Sequence, residues 1–168
     1  MNLARLFLLV GIAMGLAGCV TLAQAEPVHF SLQDMADQGG RYDTAAHLGK
    51  PMVLEFYFNG CRYCRDNSPN VKALSTEWHG DRAQILEISI DCELSDYANW
   101  IERYAADGPV LNDCDGEALG QSLGVSSYPT TIVLDKDHKR VWSSVGVWSA
   151  AKKAKIRQLL SAPTSTLE

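Results

Sequence analysis

A run of basic residues is missing from this sequence, and its absence removes one class of partner at once. Fifteen Lys and Arg stand against twenty Asp and Glu, a formal net charge of −5. Without a Lys/Arg cluster there is no electrostatic footprint for nucleic acid. Also missing are a long Gly/Ser/Pro linker, an internal repeat and a low-complexity tract, so the 168 residues read as one domain with a real core plus a targeting segment. The apolar run Leu6 to Gly18, behind Arg5, is too short for an ordinary spanning helix. Histidine is absent beside the cysteines. None follows Cys64 as haem attachment requires, and none adjoins Cys92 or Cys114, so the two further ligands of a zinc site are lacking. The expectation is no metal and no cofactor.

What the chain does have is concentrated between Met52 and Pro69. From Met52 to Phe58 every residue is apolar except Glu55, the reading of a strand buried on both faces. Asn59-Gly60 breaks it, and Cys61-Arg62-Tyr63-Cys64 follows. A helical pattern then runs to about Trp78, with Val71, Leu74 and Trp78 at helical spacing. Free amides and the helix dipole at that N-terminus favour an anion, which lowers the pKa of the first cysteine. Cys61 is therefore the expected nucleophile and Cys64 the thiol that resolves a mixed disulfide; a purely structural bridge is the alternative. Arg62 either adds cationic support to the thiolate or is a solvated side chain, and Tyr63 offers substrate contact surface. Glu55 is costly inside an apolar strand unless paired or protonated; otherwise it faces an edge and reaches water.

Taken in order, residues 1–25 form a signal with two exits: Leu16-Ala17-Gly18-Cys19, a lipobox that would leave Cys19 lipidated, or cleavage after Ala23-Gln24-Ala25, before Glu26. Either places the domain, residues 26–162, outside the cytoplasm in a periplasmic or similar oxidising compartment. Val28 to Leu32 is expected as an edge strand, Gly39-Gly40 as a break, and Asp43 to Leu48 as one or two helical turns. Gln84 to Ile90 reads as a second core strand, Asp96 to Ala106 as a helix, Val110-Leu111 as a short strand and Glu117 to Leu123 as a short helix. Thr130 to Leu134 and Arg140 to Val145 pair antiparallel across 136–139. Ser149 caps a last helix through Leu160, and 163–168 is a frayed tail. His79 and His138 read as solvated surface residues. With Cys19 lipidated or removed, four cysteines remain for two pairs. A right-handed crossover makes the strands before Cys92 and Cys114 parallel, so as neighbours they bring the two cysteines within bridging range. Two unpaired thiols are the alternative.

From about Asp43 to Leu160 the sequence resembles the thioredoxin superfamily. The carriers are Gly49-Lys50-Pro51 before the core strand, the Cys61–Cys64 motif, Pro69 in the helix, Tyr128-Pro129-Thr130-Thr131 and Gly146. Pro109 to Gly116 and Gly124 to Asp135 are similar to the TlpA/ResA group. The resemblance implies an α/β thioredoxin-like fold, a central mixed sheet flanked by helices, with a TlpA-type strand–helix insertion. It implies that Glu55 exchanges the proton of the resolving thiol and that Pro129 is cis, offering the Tyr128 backbone, with Tyr63 and Thr130, to substrate. It also implies a monomeric reductant of partner-protein disulfides, fed by a membrane reductant. Gly60 and the Arg62-Tyr63 dipeptide depart from the family pattern. A disulfide isomerase or oxidase, or a non-catalytic lipoprotein that holds a partner or a metal, is the alternative function.

Overall fold

The computed structural model describes residues 26–78, 82–116 and 118–162. The expected signal with Cys19, the tail 163–168, His79 and Glu117 lie outside the described residues.

Seven strands form one mixed sheet: β1 (Ser31–Asp34), β2 (Gly40–Asp43), β3 (Met52–Tyr57), β4 (Gln84–Ser89), β5 (Val110–Asn112), β6 (Thr130–Leu134) and β7 (Arg140–Val145). Their spatial order is β2-β1-β5-β4-β3-β6-β7. β3, β4 and β5 are parallel neighbours, whereas β6 runs against β3 and β7 against β6. Among the described residues, three α-helices, α1 (Arg62–Trp78), α2 (Leu94–Arg103) and α3 (Ala150–Leu160), and two short 3-10 turns, Thr44–His47 and Cys114–Gly116, complete the elements. This is the expected thioredoxin-like architecture.

The central strand β3 is buried at all six positions, and its alternation splits the core. Met52, Leu54 and Phe56 join Leu86, Ile88, Leu111, Ile132 and Leu134 beneath Leu119 and the half-buried Val28 and Phe30. Val53 packs with α1 and α3 through Val71, Leu74, Trp78, Ile156 and Leu160. Tyr57 packs with α2 through Tyr97 and Trp100. All three helices thus cover one face of the sheet, and irregular segments cover the other. Ser149 caps α3 by accepting from the Lys152 N–H.

Four expectations change. The strand near the N-terminus is β1, shifted to Ser31–Asp34 and internal; the edge is β2, which begins at Gly40 directly after the turn residue Gly39 at φ +83°. A four-residue strand with one buried side chain, Tyr42, leaves no periodic signal. The expected edge thus became an inner strand. Over 118–124 the chain makes successive turns, not a helix. The buried carboxylate of Asp113 accepts the N–H groups of Ala118, Leu119 and Gly120 at 3.0, 3.0 and 2.7 Å, which draws those amides inward. The helix after β4 starts two residues earlier than expected and stops at Arg103, where the Tyr104 and Ala105 amides both turn back to the Trp100 carbonyl. His138 is fully buried, not solvated. The N-terminal segment folds over the β6–β7 turn, with the Val28 N–H on the His138 carbonyl at 2.8 Å and Pro27 bridging Lys139.

Candidate active site

The C-terminal end of β3 delivers Cys61 to the start of α1. The Phe58 carbonyl accepts the Cys61 N–H at 3.0 Å, closing the turn through Asn59-Gly60, and the Arg65 N–H returns to the Cys61 carbonyl at 3.2 Å as the first helical bond. Cys61 and Cys64 form a disulfide with Cα atoms 5.2 Å apart. Both are nearly buried, at 6% and 3% exposure. The Cys64 N–H donates to the Cys61 Sγ at 3.0 Å. A helix N-terminus that aims an amide at the first sulfur stabilises a thiolate there, by hydrogen bond and by dipole together.

The turn before the disulfide is held from the β4–α2 side. Asn59 donates its backbone N–H to Asp91 Oδ2 at 2.7 Å and its Nδ2 to Asp96 Oδ1 at 2.9 Å. Its Oδ1 accepts from Asn99 Nδ2 at 3.1 Å, and its carbonyl accepts from Arg65 Nη1 at 3.1 Å. Every polar group of Asn59 is thereby engaged.

Beneath α1 lies Glu55, 3% exposed. Its Oε1 accepts from Asn67 Nδ2 and its Oε2 from Thr131 Oγ1, both at 2.7 Å. Asn67 Oδ1 accepts the Trp148 N–H at 2.9 Å, and Trp148 Nε1 donates to Thr131 Oγ1 at 2.6 Å, closing a ring of four residues. Burial raises the Glu55 carboxyl to about 7, against the two hydrogen bonds that favour its charged form. Cys64 and Asn67, three apart, share the buried face of α1, so the acid sits under the same helical turn as the second sulfur. A second acid, Glu87, pairs with Glu55 across β3 and β4. It is 2% exposed, accepts from Trp100 Nε1 and the Ala106 N–H, and is likewise raised to about 7 by burial.

On the other flank the Tyr128–Pro129 peptide is cis. The Gly146 N–H donates to the Pro129 carbonyl at 2.7 Å. Tyr128 meets Phe58 edge-on at 5.6 Å and packs against the cluster that contains both sulfurs. Thr130, expected among the substrate contacts, is buried, and its hydroxyl donates to the Ser127 carbonyl at 2.6 Å, leaving its side chain occupied within the loop. Tyr63 is 63% exposed. Arg62 points into solvent and pairs loosely with Asp66, at 3.8 Å. Cys92 and Cys114 are disulfide-bonded with Cα atoms 4.8 Å apart, both residues exposed.

In the sequence Asn59 stands out only as a strand breaker and Thr131 only as part of the proline loop, while Asn67, Trp148 and Glu87 are not singled out. Glu87 had the signal that singled out Glu55, an acid between Leu86 and Ile88 in a core strand. Asn67 is legible only once Cys64 is placed on an inward face. Trp148 comes to the site through a tertiary turn that no local pattern marks.

A family profile described as the AhpC/TSA family matches residues 24–142. The thioredoxin-like protein HCF164, chloroplastic, of rice (Oryza sativa subsp. japonica) is 27% identical over 77% of this chain and 52% of its own length. The thiol-disulfide oxidoreductase ResA of Bacillus thuringiensis subsp. konkukian is 28% identical over 68% of this chain and 64% of its own. The chain thus spans between half and two thirds of these two relatives. Among solved structures, the exposed lipoprotein thioredoxin Etrx1 of Streptococcus pneumoniae superposes with a TM-score of 0.66 at 27% identity, over 79% of this chain and 98% of that one.

Proposed function

This chain belongs to the AhpC/TSA family, and on that premise we propose that it is an extracytoplasmic thiol–disulfide oxidoreductase that reduces disulfides of partner proteins through Cys61 and Cys64. The observation that carries the reading is the Cys64 N–H aimed at the Cys61 sulfur at the head of α1. In the reduced pair that amide supports a Cys61 thiolate. The thiolate attacks one sulfur of a partner disulfide, forms a mixed disulfide and expels the other partner sulfur as a thiolate. Cys64 then gives its proton to Glu55 and attacks Cys61, expelling the second partner sulfur as a thiolate and closing the Cys61–Cys64 bond. Two electrons pass to the partner, and a membrane reductant restores the dithiol. A carboxyl raised to about 7 suits this exchange, because proton transfer works best near the operating pH.

Tyr63, exposed at the second helical position, and the Tyr128–Pro129 backbone beside the sulfurs form the surface offered to the partner, with Thr130 positioning that loop. Cys92–Cys114 braces the neighbouring edge. Residues 1–25 act as the export signal, with Cys19 as the lipid-bearing residue; an exposed lipoprotein among the similar structures supports this. The protein acts as a monomer.

The test is reduction of a protein disulfide, followed with Cys64→Ala as a trap. The expected outcome is a stable mixed disulfide through Cys61 in the variant and, in the wild type, an equilibrium potential more reducing than about −200 mV; a value near −120 mV would mark an oxidant instead. Mass spectrometry of the mature N-terminus separates acylated Cys19 from a free Glu26.

A further inference from the structure

The second disulfide joins segments that do not need it to stay together. Independently of sulfur, the Asp113 N–H donates to the Ser89 carbonyl at 2.8 Å and the Asp115 N–H to the Ile90 carbonyl at 3.0 Å. The Tyr97 hydroxyl reaches both the Asp91 carbonyl and Asn112 Oδ1, the latter at 2.8 Å. The β4–β5 pairing continues directly into this clamp, with Ser89 opposite Asn112. When the bridge opens, Cys92 and Cys114 therefore remain facing one another. They are also exposed, where the Cys61–Cys64 pair is buried, and exposed disulfides are the more readily reduced class.

A third donor stands beside them. Asp115 holds a left-handed backbone at φ +59°, and its Oδ2 lies 3.8 Å from the Cys114 Sγ. The donor atoms of Cys92, Cys114 and Asp115 all fall within 4.8 Å of one another, and all three residues are exposed. Once the bond opens and the two sulfurs part, two thiolates and a carboxylate this close fit a thiophilic d10 cation. Zn2+ takes sulfur at about 2.3 Å and carboxylate oxygen at about 2.0–2.2 Å, and with three protein ligands it keeps a fourth position open.

We propose that the reduced Cys92 and Cys114 thiolates, with the Asp115 carboxylate, form a Zn2+ site that the disulfide keeps closed. A dithiol reductant is oxidised to its own disulfide as Cys92–Cys114 takes up its two electrons and two protons and opens to two thiols. Zn2+ binding then releases those protons, since only thiolates ligate. The site is distinct from the Cys61–Cys64 pair and needs no step of its chemistry. Because the hydrogen-bonded clamp sets the ligand spacing, binding carries little ordering cost. The open fourth position and the exposed setting suit a cation that is taken up and handed on, in contrast to a closed structural site.

The experiment uses the full chain carrying Cys61→Ser and Cys64→Ser, so that only the second pair can respond. The chain is reduced with a phosphine, freed of reductant, and titrated with Zn2+ in competition with a chromophoric chelator; Co2+ serves as the spectroscopic probe. The expected result is one cation per chain with thiolate-to-cobalt charge-transfer bands, no binding after reoxidation, and a loss of about tenfold or more in Zn2+ affinity on Asp115→Asn. A bridge that resists reduction in the folded chain would overturn the proposal. So would binding that persists in the oxidised chain, or a reduced chain without charge-transfer bands. Both decisive comparisons, Asp115→Asn and the oxidised chain, leave Cys92 and Cys114 in place, so a folding defect from replacing them cannot mimic either result.

Discussion

The two disulfides lie at the same edge of the sheet, after the C-terminal ends of the adjacent strands β3 and β4, yet their settings are opposite. Cys61 and Cys64 are buried, belong to a single helical turn, and have an amide directed at one sulfur and a raised acid below. Cys92 and Cys114 are exposed, separated by 22 positions in sequence, and joined across segments already clamped by backbone hydrogen bonds. The comparison separates two demands on a sulfur pair. Fast exchange at a chosen sulfur calls for electrostatic asymmetry between the partners and a nearby store for a proton. Bracing calls only for proximity across a long loop, and the second pair has that without the asymmetry.

Breaking the first member should cost most. Cys61→Ser is expected to lower disulfide-reductase activity by roughly 10^3-fold or more, the scale on which removal of a nucleophile acts, while Cys92→Ser/Cys114→Ser retains most of it. Comparable losses in the two variants would erase the distinction. Alkylation sharpens the same point: after full reduction, one equivalent of reagent should label Cys61 ahead of Cys64, since only Cys61 receives the helix-terminal amide.

Next in size is Glu55→Gln, expected to slow resolution of the mixed disulfide by about 10^2-fold near neutral pH, within the range for a lost general base. The pH–rate profile of the wild type should carry an inflection near 7 that the variant lacks. An unchanged profile would assign the proton to another group.

Stability should follow the acids in the opposite sense from an ordinary paired carboxylate. Glu55 and Glu87 both have folded values near 7, above the usual 4.5, so between those limits the folded chain holds more protons than the unfolded one. The stabilisation is fully present below about 4.5 and is lost as pH rises through about 7. Each acid contributes on the order of 3 kcal/mol to that loss. Urea midpoints at pH 5 and pH 8 test the sign, and Glu87→Gln should flatten the slope.

The smallest effect belongs to the second bridge as a brace. Its removal in Cys92→Ala/Cys114→Ala should lower stability by about 3 kcal/mol at most, the chain-entropy value for a loop of this length, since the clamp persists. Thermal unfolding with and without the substitutions measures it.

Much of the machinery was legible because it is local. Strand β3 and the helix behind it follow from seven apolar-dominated positions, a breaker and a helical period. The β6–β7 hairpin was read with its observed bounds, because alternation and the turn at 136–139 agree. The proximity of Cys92 and Cys114 followed from crossover handedness together with the placing of the two strands as neighbours. What escaped is non-local. Asp113 reorganises 118–124 by capping three amides, and a carboxylate several residues upstream leaves no period in the segment that it recasts. His138 looked like a turn residue because the segment that buries it, around Val28, lies more than a hundred positions away. The ring of Glu55, Asn67, Thr131 and Trp148 draws on β3, α1, β6 and the segment before α3, and only its acid stood out against its surroundings.

The strap over His138 also gives the molecule a polarity. Strand β6 runs from Thr130, opposite Phe56 near the sulfurs, to Leu134, opposite Met52, so the β6–β7 turn stands at the far pole, about 17 Å away at the usual rise per strand residue. Pro27 and Val28 are stitched to Lys139 and His138 at that pole. A pull exerted through the chain upstream of Pro27 is therefore borne by the strap and the hairpin turn before it reaches β3. On the proposed attachment through Cys19, the domain would be held from the pole opposite the Cys61–Cys64 edge, like the head of a mooring post.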